Sequence, residues 1–384
     1  MDMTILDGGL MTTIQDKGRT GFQQYGMPVS GAMDDYSMQV GNLLVGNEPY
    51  EAVLEMTILG PTVQFNVTTM IALTGANMKP QINRRSVTMW RSILVNPGDV
   101  LTFGGLISGC RSYIALAGGI GIEAVMGSKS TYVRGAIGGL KGEKLQTGDE
   151  FNLGFKNKGL GQLGIKRIPQ ESIPIYANTC EVRVVLGPQD DCFTQAAIRT
   201  FFESEYDVTN EADRMGYRLA GPKIEHLQSA DIISDGIALG SIQVPGHGMP
   251  IIMMADRQTT GGYTKIATVI SPDLAILAQL KPGDKVRFKQ VSLATSHEIY
   301  HQYVDKIEEI QRYIKGNTFE MTSTKLYQVS VKGKQDKKTY KIIVEEISEL
   351  VQLKLNIENS VGESTPTEVE IGTPTYRSGC LGID

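Results

Sequence analysis

Residues 96–101 read NPGDVL and residues 281–286 read KPGDKV, and a weaker copy, QTGD, occupies residues 146–149. In the two full copies a proline fixes φ at the first central position of a turn, and a glycine supplies the positive φ of the second. The pattern predicts a type II turn that leads into a strand. Because the turn recurs, it favours two related β domains, residues 1–178 and 179–291, followed by an extension over residues 292–384.

Short apolar segments rich in β-branched and aromatic residues recur between glycines, which make up 43 of the 384 residues. Such segments predict a mainly β chain, built as a barrel or sandwich, with few helices. Helical patterns are confined to residues 34–44, 192–204 and 272–280. The predicted strands are residues 63–67, 70–73, 86–90, 100–103, 112–116, 182–186, 251–254 and 285–288.

The last hundred residues differ in character. Apolar residues at helical spacing predict a helix of about 20 residues over 296–315. Two alternating segments, residues 325–332 and 338–347, predict a hairpin with its polar turn at residues 333–337. Beyond Glu349 the chain is poor in apolar residues and is expected to be flexible.

The balance of charges and cysteines excludes several classes of protein. With 37 basic and 42 acidic residues and no long basic run, the chain is not expected to bind nucleic acid. It has neither a run of about 18 apolar residues nor a signal-peptide pattern, so no membrane span or export is expected. Four widely spaced cysteines and four histidines without ligand spacing indicate reduced thiols, a cytoplasmic protein and no metal site.

The segment TTIQDKGRTGFQQYGMPVSGAMD, residues 12–34, sets an acid beside an arginine and glycines. Asp16 and Arg19 flank Gly18 and are close enough in a turn to form a charge-assisted pair; alternatively, Arg19 presents its planar guanidinium to a carboxylate ligand. Ser30 precedes a predicted helix and is expected to be its N-cap.

Two further positions carry charge in unusual surroundings. Glu55 lies among apolar residues, and a buried carboxylate needs a partner, for which Arg19 is the candidate. This glutamate is either a structural brace or a base with a raised pKa, and the pattern does not separate the two. Farther along, Arg214 and Arg218 would share one face if their segment were helical.

The richest cluster runs from Gln243 to Tyr263, where VPGHGMP, the apolar run IIMM and ADRQTTGGY follow one another. Two Gly-flanked loops around a buried strand can bring polar side chains to one rim, where free backbone amides form a nest for an oxyanion. His247 is expected to be a hydrogen-bonded loop residue. The candidate rim residues are Gln243, His247, Asp256, Arg257, Thr259, Thr260, Gly261 and Gly262.

Taken in order, these motifs resemble those of the biotin-dependent carboxyltransferase-like family. That family includes the C subunit of 5-oxoprolinase, allophanate hydrolase subunit 2 relatives, the carboxyltransferase domain of urea carboxylase and the antagonist of the Kip kinase inhibitor. The motifs are T-x-Q-D-x-G-R-x-G at 13–21, G-x-P-x-S-G-A-M-D at 26–34, L-E-x-T-x-x-G-P at 54–61, D-R-M-G-x-R-L at 213–219, I-Q-V-P-x-x-G-x-P at 242–250 and A-D-R-Q-T-T-G-G-Y at 255–263.

The resemblance implies two cyclophilin-like β-barrel domains and an enzyme that works with partners. The implied activity is that of an ATP-dependent 5-oxoprolinase, a hydrolase that opens the small cyclic amide 5-oxoproline to L-glutamate. A lactamase-like partner, the A component, and a second partner, the B component, would complete that enzyme. ATP is bound either by this chain or by a partner. The alternatives are a carboxyltransferase component of a biotin-dependent urea or amide carboxylase, and a regulatory antagonist that binds a kinase-inhibitor partner without turnover.

The resemblance also implies roles for the clustered residues. Asp256 is expected to orient the substrate or accept a proton, and Arg257 to clamp the substrate. Gln243 and Thr260 are expected to position it by hydrogen bonds. The C-terminal hairpin is similar to the opening of a biotin carrier domain, but no acceptor lysine motif follows, so biotin would be carried by another chain. The residues expected to bind substrate are Arg19, Asp16, Glu55, Arg214, Thr259, Thr260, Gly261, Gly262 and Tyr263.

Overall fold

The computed structural model describes residues 1–154 and 165–316 in full, and the backbone of residues 321–332, 337–347 and 368–371. The described chain is mainly β, as predicted, and contains four α-helices. In this part of the chain, no helix combines the length and apolarity needed to cross a bilayer.

The first half contains two antiparallel sheets that share one apolar core. A six-stranded sheet has the order β11-β1-β4-β9-β6-β7, and a five-stranded sheet has the order β2-β3-β10-β5-β8. Ile5 and Phe65 from the first sheet and Leu54 and Ile114 from the second lie in the core between them. The elements are β1 Met3–Asp7, β2 Met11–Gln15, α1 Asp35–Val45, β3 Val53–Thr57, β4 Thr62–Phe65, β5 Thr69–Asn77, β6 Pro80–Ile82, β7 Arg85–Ser86, β8 Ser92–Val95, β9 Val100–Phe103, β10 Ser108–Leu116 and β11 Glu150–Phe151.

The second half closes into a seven-stranded barrel of order β12-β19-β16-β17-β14-β13-β20, and β15 pairs with β18 as a separate ribbon. The parallel pairing of β12 with β20 closes the barrel. The rings of Phe201 and Phe288 stack in its core with their centroids 4.4 Å apart. The elements are β12 Thr179–Leu186, α2 Gln195–Glu203, β13 Tyr206–Val208, β14 Gly216–Ala220, β15 Asp231–Gly236, β16 Ser241–Gln243, β17 Ile251–Met253, β18 Thr260–Tyr263, β19 Lys265–Val269, α3 Ser271–Leu277 and β20 Lys285–Gln290.

The recurring turns have the predicted conformation in both halves. Gly98 and Gly283 have φ values of 90° and 88°. In each turn the aspartate amide donates to the carbonyl three residues earlier at 3.0 Å, and the aspartate side chain accepts from that residue's amide. The weaker copy closes in the same way around Gly148. The turn residues therefore fix where β9, β11 and β20 begin.

The extension begins with helix α4, Leu293–Gly316, which buries Ile307, Ile310 and Ile314. The predicted hairpin is confirmed as β21, Met321–Lys332, paired with β22, Lys337–Ile347, and β23, Glu368–Ile371, adds a third strand. Apart from β23, the segment beyond Glu349 that was expected to be flexible lies outside the described residues.

Two local predictions are wrong. The strand predicted over residues 86–90 is not formed: β7 covers only Arg85–Ser86, residues 87–90 lie outside any strand, and Trp90, with a φ of 61°, is incompatible with one. Ser30 does not cap α1. The N-cap is Asp34, whose side chain accepts from the Ser37 amide at 2.9 Å.

Candidate functional site

A buried ion-pair network joins the two β halves at Arg214. Its Nε and Nη2 donate to the two carboxylate oxygens of Asp256 at 3.0 and 3.1 Å, and its Nη1 donates to Glu55. Nη2 also donates to the carbonyl of Gly31 at 2.7 Å. Burial disfavours the charged guanidinium, but the two carboxylates outweigh burial and raise the pKa of Arg214. The arginine is therefore a fully paired cation.

Glu55, on β3, is the first-half anchor of this network and is only 1% exposed. Its second oxygen accepts from the Met33 amide at 2.8 Å and from the Tyr113 hydroxyl at 2.9 Å. The prediction that Glu55 pairs with Arg19 is wrong, because Glu55 forms its ion pair with Arg214. Both oxygens of Glu55 are thus occupied by donors of the protein, which is the arrangement of a structural brace.

Asp256 follows β17, where the chain leaves the barrel wall. Both of its oxygens accept from Arg214, so the carboxylate is held in one orientation. Of the two expected roles, the geometry favours orientation. The helical face predicted for Arg214 and Arg218 is wrong, because Arg218 lies in strand β14 and Arg214 in the preceding turn.

Arg19 is the second buried arginine, and its pairing is different. The side chain is 1% exposed, and its Nη2 donates to the carbonyl of Ser130. Among the described residues, its Nε and Nη1 have no hydrogen-bond partner. Burial lowers the pKa of Arg19, while the charges of Asp16 and Asp256 oppose that shift. A buried guanidinium with free donors is suited to an anion or a carbonyl oxygen.

Asp16 does not pair with Arg19, which corrects one of the two expectations for this turn. Its carboxylate accepts from the Ser128 hydroxyl at 2.6 Å, the Lys129 amide at 2.6 Å and the Ser130 hydroxyl at 2.5 Å. These bonds hold the loop that contains the Ser130 carbonyl against Arg19. Asp16 therefore positions the arginine's acceptor rather than the arginine itself.

The two arginines flank one loop. The Arg19 amide donates to the carbonyl of Val29 at 2.8 Å, and Arg214 Nη2 donates to the carbonyl of Gly31. Between them, Ser30 has a φ of 59°, and its buried hydroxyl has no partner among the described residues. A left-handed serine with an unpaired hydroxyl costs free energy, and such positions cluster at binding sites.

Gln243 ends strand β16 and is 2% exposed. Its Nε2 has no partner within the described part of the chain. A Cβ atom added to Gly261 would lie 2.8 Å from that nitrogen, so the amide packs closely against the glycine and requires it. Gln243 Nε2 is therefore an unused donor in the described part of the chain, and the role of Gln243 in positioning a substrate stays a prediction.

Arg257 is placed differently from the expected clamp. Its Nε donates to the carbonyl of Ile237 at 3.0 Å, and burial lowers its pKa to about 10. The contact ties the loop after β17 to the end of β15. This donor is therefore used within the protein, and Arg19 is the better candidate for a carboxylate ligand.

The expected glycine nest is not formed. Gly261 and Gly262 lie in strand β18, which pairs with β15, rather than in an open turn. The carbonyl of Thr259 accepts from the Ile237 amide at 3.0 Å, and Thr260 and Tyr263 are exposed. Neither glycine has a positive φ; at Gly261 the reason is close packing, because a Cβ atom there would lie 2.7 Å from Ile237 Cδ1.

The other expectations concern histidine and metal. His247 is exposed on a separate loop, where its Nδ1 accepts from the Met249 amide at 3.1 Å, as predicted. Across residues 1–154 and 165–316, His, Cys, Asp and Glu form no group of three that could hold a metal ion.

Sequence reasoning missed Gln258 and Tyr113. Gln258 lies inside ADRQTTGGY, and its Oε1 is buried without a partner among the described residues. Tyr113 lies in β10 opposite Glu55, so the pairing of β10 with β3 brings it to the network. Gln258 could have been singled out from the sequence because it is a polar residue within ADRQTTGGY, the segment that supplied the other candidate residues.

Comparisons with known proteins agree with the resemblance. The model for the carboxyltransferase domain, subdomains A and B, matches residues 25–290. The chain is 38% identical over 293 residues to the C subunit of 5-oxoprolinase from Escherichia coli (strain K12), covering 76% of this chain and 92% of that protein. It is 33% identical over 309 residues to the C subunit of 5-oxoprolinase from Haemophilus influenzae, covering 80% and 97%.

The fold is also similar to the crystal structure of the Kluyveromyces lactis urea carboxylase, with a TM-score of 0.76 and 27% identity. That match covers 89% of this chain and 32% of the other, so this chain corresponds to about a third of that enzyme. Since the family model matches well over half of the sequence, the chain belongs to the carboxyltransferase-domain family with subdomains A and B.

Proposed function

We propose that this chain is the C subunit of an ATP-dependent 5-oxoprolinase, which opens 5-oxoproline to L-glutamate with its A and B partners. The observation that carries the proposal is the match to two proteins named as C subunits of 5-oxoprolinase, which the chain covers over 92% and 97% of their lengths. Almost the whole length of each relative therefore has a counterpart in this chain.

The site chemistry supports this substrate. 5-Oxoproline carries one carboxylate, and Arg19 holds free Nε and Nη1 donors in a buried position. Charge-assisted hydrogen bonds of this kind are stronger than neutral ones. Arg214, fully paired with Glu55 and Asp256, holds the loop that separates it from Arg19. We therefore assign Arg19 as the carboxylate-binding residue.

The reaction needs ATP because a five-membered lactam carbonyl is a poor electrophile. Transfer of the γ-phosphoryl group to the lactam oxygen would release ADP and activate the ring carbon. One water would then attack that carbon and break the C–N bond to give γ-glutamyl phosphate, and a second water would hydrolyse this acyl phosphate to L-glutamate and phosphate. Donors aimed at the developing charge on that oxygen lower the barrier. We place ATP in the assembled complex, with the lactamase-like A component and the B component completing the enzyme.

The test is reconstitution with both partners, measuring ADP and glutamate released from ATP and 5-oxoproline. Arg19→Met should raise KM at least tenfold, since it removes charge-assisted bonds worth about 1.5–3 kcal/mol. Arg218→Met is the matched control, because Arg218 is a surface arginine paired with exposed Glu211. Absence of turnover by the wild-type complex, with every component folded, would rule the proposal out.

A second candidate function rests on the structural match to urea carboxylase. In that case the chain would transfer a carboxyl group from biotin, carried by another chain, to urea or an amide. Avidin, which sequesters biotin, would then stop the reaction of the assembled complex. Turnover of 5-oxoproline that is indifferent to avidin would exclude this alternative for the measured activity.

A further inference from the structure

Arg19 is buried, so a ligand can reach its unpaired donors only when some part of the protein that covers them moves. The loop that contains Arg19 is locked to the loop of Val29, since a Cβ atom at Gly18 would lie 2.7 Å from the Val29 carbonyl oxygen. The Ala32 amide also donates to the Asp16 carbonyl at 3.0 Å. These two loops are held firmly together, so the moving part is expected elsewhere.

The segment of residues 132–139, which we call the flap, lies against the Arg19 guanidinium. A Cβ atom at Gly138 would lie 2.6 Å from Arg19 Nη2 and 2.1 Å from the carbonyl oxygen of Ser130, which accepts from the same nitrogen. Only glycine, here with a φ of 69°, allows this approach. Every residue of the flap is at least partly exposed. The flap is therefore a surface part of the cover over Arg19.

Few backbone contacts hold the flap against its surroundings. Among the described residues, the Gly139 amide donates to the Lys129 carbonyl at 3.0 Å, and the Gly142 amide donates to the Gly138 carbonyl at 2.8 Å. The other backbone hydrogen bonds of the flap in this part of the chain join one flap residue to another. A segment with few contacts and partly exposed hydrogen bonds opens at a lower free energy than the core does.

Both ends of the flap are fixed. Before it, the Thr131 amide donates to the Ile14 carbonyl at 2.8 Å, and Thr131 is buried. After it, Leu140 packs against the apolar core of the first half. The flap can therefore move as a unit between two anchored residues while the sheets beneath it stay folded.

The tip of the flap is fastened to the second half by Arg134. Its Nη2 donates to Asp213 at 2.8 Å, and its Nη1 lies 3.1 Å from Met215 Sδ. Asp213 and Met215 are the residues on either side of Arg214. The side chains of Arg134 and Asp213 are 57% and 40% exposed, and an exposed ion pair contributes little to stability. The pair therefore favours the closed flap but is weak enough to part without unfolding the protein.

We propose that residues 132–139 form a gate over Arg19 and that the ion pair between Arg134 and Asp213 is its latch. When the latch parts, the flap moves away with Gly138 and the guanidinium becomes accessible to an anion. When it closes, the flap shields the bound anion from water, which strengthens a charge-assisted hydrogen bond. That the anion is the carboxylate of 5-oxoproline rests on the proposed function, whereas the gate rests on the contacts of the flap.

The experiment measures access to Arg19 in the full-length chain with phenylglyoxal, a reagent that modifies accessible arginines. Peptide mass spectrometry gives the modification rate of Arg19, and Arg214, buried and fully paired, is the internal reference. Arg134→Met should raise the Arg19 rate about threefold, the factor by which an exposed ion pair shifts an equilibrium. Because salt screens exposed charges, about 1 M NaCl should raise the rate similarly in the wild type but not in Arg134→Met.

Two further variants separate the latch from general effects. Arg287→Met is the matched control, since Arg287 in strand β20 is 59% exposed and pairs with Glu205 at 2.8 Å. It should leave the Arg19 rate unchanged. Gly138→Ala should raise that rate more than Arg134→Met does, because its Cβ atom would push the flap off the guanidinium. Should Gly138→Ala fail to fold, Arg134→Met decides alone.

Three results overturn the gate: equal Arg19 rates in the wild type and Arg134→Met, no modification of Arg19 in any variant, or an equal acceleration at Arg214. Cyclopentanecarboxylate, a ring carboxylate without the lactam, should protect Arg19 from the reagent. Absence of protection would overturn the assignment of a carboxylate to the gated site.

The labelling result does not depend on the proposed reaction. Should the reconstituted complex lack turnover while Arg19 shows the expected pattern, the gate stands and 5-oxoprolinase activity fails. Should turnover occur while the Arg19 rate is indifferent to Arg134→Met and to salt, the activity stands and the gate is overturned.

Discussion

Arg214 and Arg19 are both buried arginines beside the same loop, yet they differ in what they bind. Arg214 uses Nε, Nη1 and Nη2 on Asp256, Glu55 and a carbonyl. Arg19 uses Nη2 alone on a carbonyl, and its other nitrogens are unpaired among the described residues. A paired cation stabilises the fold around it, whereas an unpaired one is held in place by the fold and is open to a ligand.

The largest effect is expected from Arg214→Met. The substitution leaves Glu55 and Asp256 buried without a counter-charge, which should lower the free energy of unfolding by about 3–5 kcal/mol. Urea denaturation monitored by circular dichroism measures the change. Arg218→Met at the exposed ion pair should change stability by no more than about 0.5 kcal/mol.

A loss below about 1 kcal/mol for Arg214→Met would contradict the view that the network braces the two halves. The difference between the two arginine positions, rather than either value alone, is the quantity of interest.

Arg19→Met should show the reverse pattern. Because the guanidinium is buried with unpaired donors, its removal should change the free energy of unfolding by less than about 1 kcal/mol. Affinity for cyclopentanecarboxylate should fall by about 2 kcal/mol, or roughly thirtyfold, as measured by NMR titration. A large loss of stability with carboxylate binding intact would make Arg19 a second brace.

Gln279→Leu should have an intermediate effect on stability. Its Oε1 accepts from the Cys110 and Arg111 amides at 2.9 Å, and its Nε2 donates to Asp34 at 2.7 Å. The leucine variant leaves these groups unpaired in the interior, which should cost about 2 kcal/mol. Thermal denaturation should show a lower Tm than that of the wild type. An unchanged Tm would mean that water replaces the lost amide.

The smallest effect concerns Asp35, at the start of α1. Burial and the charge of Asp34 raise the pKa of Asp35 to about 6. The folded chain therefore binds this proton more tightly than the unfolded chain, and the resulting stability is complete below about pH 4 and is lost as the pH rises through about 6.

Asp35→Asn should match the wild type at pH 4 and be more stable by about 1 kcal/mol at pH 7, since the side chain is partly exposed. Urea midpoints across this range provide the measurement. Asp231→Asn, at an exposed position, is the matched control. Parallel pH profiles for wild type and Asp35→Asn would show that Asp35 does not titrate as described.

Much of the fold could be predicted because its signals are local. The Pro-Gly-Asp turns depend on three adjacent residues, and their geometry is confirmed at Gly98 and Gly283. Helices α1, α2 and α3 begin and end within a few residues of the predicted bounds. The N-cap was misplaced because Ser30 and Asp34 are both good cap residues and only backbone conformation separates them.

The sequence identified individual charged residues of the site, but it did not identify which of them form ion pairs with one another. Glu55 and Arg214 are 159 residues apart, and no local pattern ranks Arg214 above Arg19 as the partner. Gln258 went unnoticed because an unpaired amide is a property of the packed chain. The proposed domain boundaries stay a prediction.

The salt bridge between Glu55 and Arg214 has a consequence for dividing the gene. A cut between codons 178 and 179 would leave Glu55 buried in the first fragment and place its partner Arg214 in the second. The first fragment would have to solvate or protonate Glu55, whereas Arg214 in the second fragment would keep Asp256 as its partner but lose the Glu55 contact. The two fragments should therefore fold and remain soluble only when co-expressed, and the intact protein should unfold in one transition that includes both β halves.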